Sequence, residues 1–263
     1  MKKFLSGLLV SILLLAGVWS TPLGRALLLD GGDRIARLFG LVSRQEAAGP
    51  TIPATLAARL EAARLDPRNG VHLRIFKEER LVEVWIADGD IHRLFESHPI
   101  CRFSGDLRPK LREGDGQSPE GFFTAGSAAL NPNSAHFLSF DLGFPHAGDR
   151  AKGRTGSLLM VHGGCLSVGC YAMTDAGIAR IYPLVQASIR AGHPVPVHAF
   201  PFRMTPQRLE AARTSPWIGE WRKLAEGWSL FEQSHRPPEV SFCGTETVFE
   251  RRAGCVDASG RRI

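Results

Sequence analysis

From Val71 onward apolar and polar residues alternate, through Val71, Leu73 and Ile75, then along Leu81 to Ala87 up to the turn Asp88, Gly89 and Asp90, and again from Ile91 to Phe103. Side chains that point to opposite faces at successive positions are the mark of a strand, so this stretch predicts a meander of antiparallel strands. Gly121 to Ala125, His136 to Leu142, Ser157 to His162 and Val195 to Phe202 are further strand candidates. Helical spacing returns in Ile178, Ile181, Tyr182, Val185 and Ile189, capped by Thr174 or Asp175 and stopped by Gly192. A second helical stretch starts at Thr205 with Pro206 in its first turn and continues from Trp217 to Phe231. The expected fold class is α+β, a mainly β domain with covering helices.

Residues 1–20 carry Lys2 and Lys3 ahead of an apolar run from Phe4 to Trp19, the pattern of an export signal. Val18 and Ser20 suit cleavage before Thr21, and an uncleaved membrane anchor is the alternative. Either way the protein is expected in the periplasm or cell envelope. Residues 21–69 read as a helical arm or linker, 70–204 as the main domain, and 205–263 as a helical extension with a Cys-containing tail. The formal charge of +6 invites a nucleic-acid reading. Its basic residues are scattered, however, with no zinc-finger or basic-region pattern, and nucleic acid is not an expected partner.

Five cysteines are an odd number, so in an oxidising compartment at least one thiol is free or paired with another chain. Cys243 and Cys255 are close in a Gly-rich polar tail and are expected to pair. Cys101 pairs with Cys165 or is a core residue; both readings stay open.

The densest chemistry lies between Met160 and Met173, where a strand candidate runs through a Gly-rich turn toward a helix. A cysteine there, Cys170, gains exposure, backbone N–H groups for an oxyanion, and a helix dipole that favours the thiolate. It needs a base, and His162, eight residues earlier, is the nearest imidazole. A buried inert Cys, or a metal site built from His162, Cys165 and Cys170, are the competing readings. The spacing lacks the second ligand pair of a structural zinc site, so no metal and no cofactor is expected. Trp217, Trp221 and Trp228 fall on one helical stripe and read as core, not as a sugar platform, and His193 and His198 read as structural.

His162-Gly163, then Ser167-x-Gly169-Cys170, then a hydrophobic stretch ending in Met173, resembles the signature of the YkuD-type peptidoglycan L,D-transpeptidases. Glu113 to Phe122, with Pro119, Gly121 and Phe122, is similar to that family's entry to the catalytic domain, and Cys170 to Thr174 with Phe200 to Met204 looks like its YafK branch. The resemblance implies a YkuD-like domain in which Cys170 attacks a carbonyl of a peptidoglycan stem peptide and His162 is general base and acid. Gly169 and the Cys170 N–H help bind the oxyanion, Ser167 lies in the same orienting segment, and Gly163 stands where some members orient the histidine with a serine. His136, Tyr171 and Arg154 are candidates for substrate contact, with a core imidazole the alternative for His136 and an ion pair for Arg154; His146 could line the cleft. Val168 and Ala172 depart from the family's more common His and Arg. The acceptor is left open between water, a stem-peptide amine and the lysine of a peptidoglycan-linked lipoprotein, and a non-catalytic wall-binding module stands as a different class of reading.

Overall fold

A computed structural model of the chain describes residues 50–263. The export segment and the first part of the arm lie outside them. Among the described residues no helix is long and apolar enough to cross a membrane.

The predicted meander is present as β1 (Val71–Phe76), β2 (Leu81–Asp88) and β3 (Ile91–Pro99). Together with β5 (Gly121–Ala125) and β10 (Val195–Phe200) it forms a first sheet of order β3-β2-β1-β10-β5, in which only the β1–β10 pair is parallel. The stretch expected to run unbroken to Phe103 breaks before β4 (Arg102–Phe103), which joins another sheet. That second sheet adds β6 (Leu130–Ser134), β7 (Phe137–Asp141), β8 (Met160–His162) and β9 (Tyr171–Ala172), in the order β4-β9-β8-β7-β6. In the tail, β11 (Ser241–Cys243), β12 (Glu246–Val248) and β13 (Val256–Asp257) make a small third sheet, stapled by the expected Cys243–Cys255 disulfide.

Five α-helices complete the described chain: α1 (Ala54–Ala63), α2 (Ala147–Ala151), α3 (Asp175–Arg190), α4 (Pro206–Ala211) and α5 (Ile218–Ser234). Thr174 caps α3 as expected, its Oγ accepting from the Gly177 N–H at 3.0 Å. Helix α1 falls within the stretch read as an arm, yet Leu56 and Leu60 are buried in the same core as Val71, Leu73, Phe140 and Ile181, so this part belongs to the domain. The C-terminal extension is likewise part of the body. Trp221, Leu224, Val240 and Phe242 share a second core with Phe76, Phe122 and Phe200, and Trp221 is buried as core.

Strand β1 is therefore covered on both faces, and its polar alternates do not meet water. His72 and Arg74 are buried. Arg74 pairs with Glu232 of α5 at 2.7 Å and lies over the Phe231 ring at 4.5 Å. His72 packs against His198 at 4.4 Å between ring centroids, with His92 at 6.2 Å. Burial pushes all three imidazoles down, His198 to about 3, and for His72 the neighbouring His198, Arg74 and His92 add to the effect.

Those imidazoles are neutral in the folded state and protonate near 6.5 when unfolded. Their contribution is thus present above pH 6.5 and is lost as pH falls toward 3. For His198 alone the loss is roughly 3 kcal/mol by about pH 4.5. Asp149, pushed up to about 6 by burial, and Asp141, also raised by burial, work the other way but are outnumbered by the lowered histidines, which include His98, His146 and His162. Thermal melts are expected to show the melting temperature dropping steeply from pH 7 to about 4.5, with a shallower fall in His198→Gln. A flat profile in the native chain would show that these rings are not desolvated.

Candidate active site

Strand register decides which side chains share a face. β8 and β9 run parallel, with Val161 opposite Tyr171 and His162 opposite Ala172. β7 lies antiparallel to β8, with Ser139 opposite His162, Phe140 opposite Val161 and Asp141 opposite Met160. Phe140, Val161 and Tyr171 are buried in the first core, so Ser139, Asp141, Met160, His162 and Ala172 point to the other face. Cys170, one residue before Tyr171, joins that second set, and the Met160 N–H donates to its Sγ at 3.4 Å. Cys170 and His162 are thereby diagonal neighbours on adjacent strands, a relation that puts Cβ atoms about 7 to 8 Å apart and within reach of long side chains.

The turn between them, residues 163–169, is pinned at many points. The Gly163 N–H donates to the carbonyls of His136 and Leu138 at 3.1 and 3.2 Å, and the Met173 N–H to the His162 carbonyl at 2.7 Å. The Gly164 N–H donates to Asp175 Oδ1 at 2.8 Å. Gly169 sits at φ +99°, a conformation that costs glycine little and most other residues a good deal. Cys165 is bonded to Cys101, which removes it as a metal ligand and leaves Cys170 as the free thiol. Ser167 and Ser118 each donate a hydroxyl to the Cys170 carbonyl at 2.7 Å. Ser104 Oγ lies 2.7 Å from Ser167 Oγ and is the donor there, because the Ser167 proton is already engaged.

His162 is buried, with Nδ1 2.6 Å from the Gly163 carbonyl. A carbonyl only accepts, so Nδ1 carries the proton and Nε2 keeps a lone pair. Burial holds the imidazole below its usual range, with the His136 ring, 4.7 Å away, adding to the effect against the Gly163 bond. Burial also raises the Cys170 thiol; the Met160 N–H and Lys110 oppose that, while the Asp141 carboxylate reinforces it. The resting pair is a thiol and a neutral imidazole, with the S–H turned to the Leu158 carbonyl at 3.5 Å. The expected help from a helix dipole fails, because the turn feeds β9 and α3 begins only at Asp175.

No family model matches the chain. YafK of Escherichia coli (strain K12), whose name assigns it provisionally to the L,D-transpeptidases, is 42% identical over 172 residues, covering 65% of this chain and 70% of YafK. The chain is a YafK-like member of the L,D-transpeptidase family. YafK of Escherichia coli O157:H7 matches to the same extent. Among solved structures, the helical cell shape determining protein Pgp2 of Campylobacter jejuni aligns with a TM-score of 0.44 at 17% identity over 66% of this chain and 73% of that one. Bd1075 of Bdellovibrio bacteriovorus aligns at 0.36 and 18%, over 65% and 58%. At these scores neither adds to the assignment.

In this L,D-transpeptidase family member the structure brings Cys170, His162, Gly163, Ser167, Gly169 and His136 together, and His136 is exposed beside His162. It commits the side chains of the other two substrate candidates elsewhere. Tyr171 is fully buried and donates its hydroxyl to the Pro119 carbonyl at 2.6 Å, as its place opposite Val161 in the register requires. Arg154 is buried and paired with Asp149, at 3.1 Å, and Glu220, so its charge is already balanced within the protein. His146 is structural: it accepts from the Asp149 N–H at the start of α2 and stacks on Phe242 at 3.9 Å. Sequence reasoning missed Ser104, Ser118 and Asp175, which hold the Cys170 backbone and the turn. Ser118 stood inside the Glu113–Phe122 stretch, but only as part of a family likeness.

At position 163 the structure leaves no room for a side chain. A Cβ there would meet Asp175 Oδ1 at 2.6 Å and the His136 carbonyl at 2.9 Å. Gly163→Ala is expected to cost about 1 to 3 kcal/mol through overpacking, read as a melting temperature roughly 2 to 12 °C lower. An unchanged melt would mean the turn yields freely.

Proposed function

We propose that the chain is a cysteine acyltransferase acting on peptidoglycan stem peptides, with Cys170 as nucleophile and His162 as base. The observation that carries this is the placement of the free thiol and an imidazole with an open Nε2 on one sheet face of adjacent strands. Rotation of Cys170 away from the Leu158 carbonyl lets the thiol proton pass to Nε2 as sulfur attacks the substrate carbonyl carbon. The oxyanion falls to the N–H groups of Gly169 and Cys170. Collapse expels the amine, which takes the proton from the imidazolium, and a thioester on Cys170 remains. An acceptor amine, or water, then attacks the thioester while His162 takes its proton; the C–S bond breaks and the proton returns to sulfur.

The Lys2–Trp19 sequence pattern and the two disulfides support this reading, since both fit a protein that works outside the cytosol. The deciding experiment is mass spectrometry of muropeptides incubated with the native chain and with Cys170→Ala, with and without lipoprotein-linked material. New cross-linked mass that needs Cys170 establishes transpeptidation. Loss of a linked peptide or lipoprotein with gain of water establishes hydrolysis in the same active site. Wall binding with no Cys170-dependent product would overturn the acyl-transfer reading in favour of a binding module.

A further inference from the structure

The rows of the second sheet also identify what flanks the nucleophile. One row reads Asp141, Met160, Cys170, and the next Asn131, Ser139, His162, Ala172, Arg102, each residue opposite its neighbour on the adjoining strand. Phe103 faces Tyr171 on the core side and packs against the core, which puts Arg102 on the Cys170 side of the sheet. Ala172, directly between Arg102 and His162, has no bulk to separate them.

Charged side chains end both flanks, and among the described residues neither has a counter-ion. Arg102 is exposed and makes no ion pair among the described residues. Asp141 is partly buried; its Oδ1 accepts from the Gly143 N–H at 2.7 Å, and no Lys, Arg or His among the described residues lies within ion-pair distance. In the neighbouring loop Lys110 pairs with Asp115 at 2.6 Å and Arg108 with Asp115 at 3.7 Å, while Arg112 is exposed and makes no ion pair with Asp141. A partly desolvated carboxylate near Cys170, left without a counter-ion, is poised for a cation from outside.

We propose that Arg102 and Asp141 set the specificity of the Cys170 cleft, Arg102 binding a carboxylate and Asp141 an ammonium of a zwitterionic peptide laid across the strands. The two strands that carry them are three strand spacings apart, roughly 14 Å, so the charges address groups on either side of the scissile carbonyl. Arg102 is held to the nucleophile turn through its neighbour Cys101, whose disulfide ends on Cys165. The arrangement also couples binding to chemistry. Asp141 disfavours the Cys170 thiolate, and an ammonium placed on Asp141 cancels that field, so the thiol ionises more readily once substrate is seated.

This inference takes its substrate class from the acyl-transfer reading, and it is tested by binding, apart from turnover. In the Cys170→Ala background, titration calorimetry follows a stem tetrapeptide with free amine and carboxylates, its carboxyl-amidated form and its N-acetylated form. Arg102→Gln is expected to weaken the unmodified peptide roughly 10- to 100-fold, the value of a charge-assisted bond, with no further loss on the amidated peptide. Asp141→Asn, which keeps an oxygen for the Gly143 N–H, is expected to act in the same way toward the N-acetylated peptide. In the chain that retains Cys170, Asp141→Asn should also move iodoacetamide labelling of the thiol to lower pH. Equal affinity of the variants for the unmodified peptide, or the same loss on all three peptides, overturns the proposal. Failure of the native chain to turn over the peptide, with these binding differences intact, would instead count against the acyl-transfer reading alone.

Discussion

His162→Gln is expected to slow acylation of Cys170 by about 100- to 10,000-fold at pH 7. The thiol is raised by burial and by Asp141, so almost none is ionised at that pH without a base. His162, kept below its usual range by burial, is unprotonated there and able to accept. The native rate should therefore be level around neutrality and fall as pH drops through the His162 value, which lies below 6.5. In the variant the rate should instead climb with pH, because hydroxide supplies the thiolate, and the gap to the native chain should narrow in alkali. Single-turnover labelling by a slow acylating β-lactam across pH measures both profiles. A variant within a few-fold of native at pH 7 would remove His162 as the base and turn attention to exposed His136, 4.7 Å away.

Lys77→Met is expected to cause the largest loss of stability of any single change considered. Lys77 is fully buried at the end of β1, its Nζ 2.9 Å from Glu120 Oε1 and donating to the Arg108 carbonyl at 3.0 Å. Glu120 Oε2 in turn accepts from Trp221 Nε1 of α5 at 2.9 Å. One ion pair thus ties together the first sheet, the loop bearing Ser118 and the C-terminal helix. Removing the cation leaves a buried carboxylate with only an indole for a partner, a defect of about 3 to 5 kcal/mol in a domain whose stability is of the order of 5 to 15 kcal/mol. That corresponds to a melting temperature roughly 6 to 20 °C lower. Lys77→Met with Glu120→Leu removes both charges and should recover much of the loss, although the Trp221 N–H stays unpaired; the Arg108 carbonyl keeps its bond from Gln117 Nε2 at 2.8 Å. A single variant melting within about 2 °C of native would show that water reaches Glu120.

The acid-sensitive histidines and this ion pair share an origin that the residue pattern conceals. His72 and Arg74 occupy the polar beats of an alternation, and alternation states only that a strand has two faces. Whether the second face meets water depends on what packs there, and α5 comes from residues far along the chain. Tyr171 and Arg154 misled for a similar reason. Nearness to Cys170 in sequence made both plausible substrate contacts, yet a strand turns its next residue to the opposite face, and Arg154 found Asp149 and Glu220 before it could face the cleft.

The sequence by itself determined what short-range physics can encode: the strands of the meander, the Thr174 cap and the helix behind it, the pairing of Cys243 with Cys255, and a Gly-rich turn with a cysteine and a histidine at its ends. The tertiary structure alone decided which side chains stand opposite one another. Arg102 meets Ala172 and Asp141 meets Met160 only because strands separated by many residues pair in one register, and Ser118 reaches the Cys170 carbonyl across 52 positions. Such neighbours are chosen by the burial of the whole core and the closure of every backbone hydrogen bond at once, which no local period records.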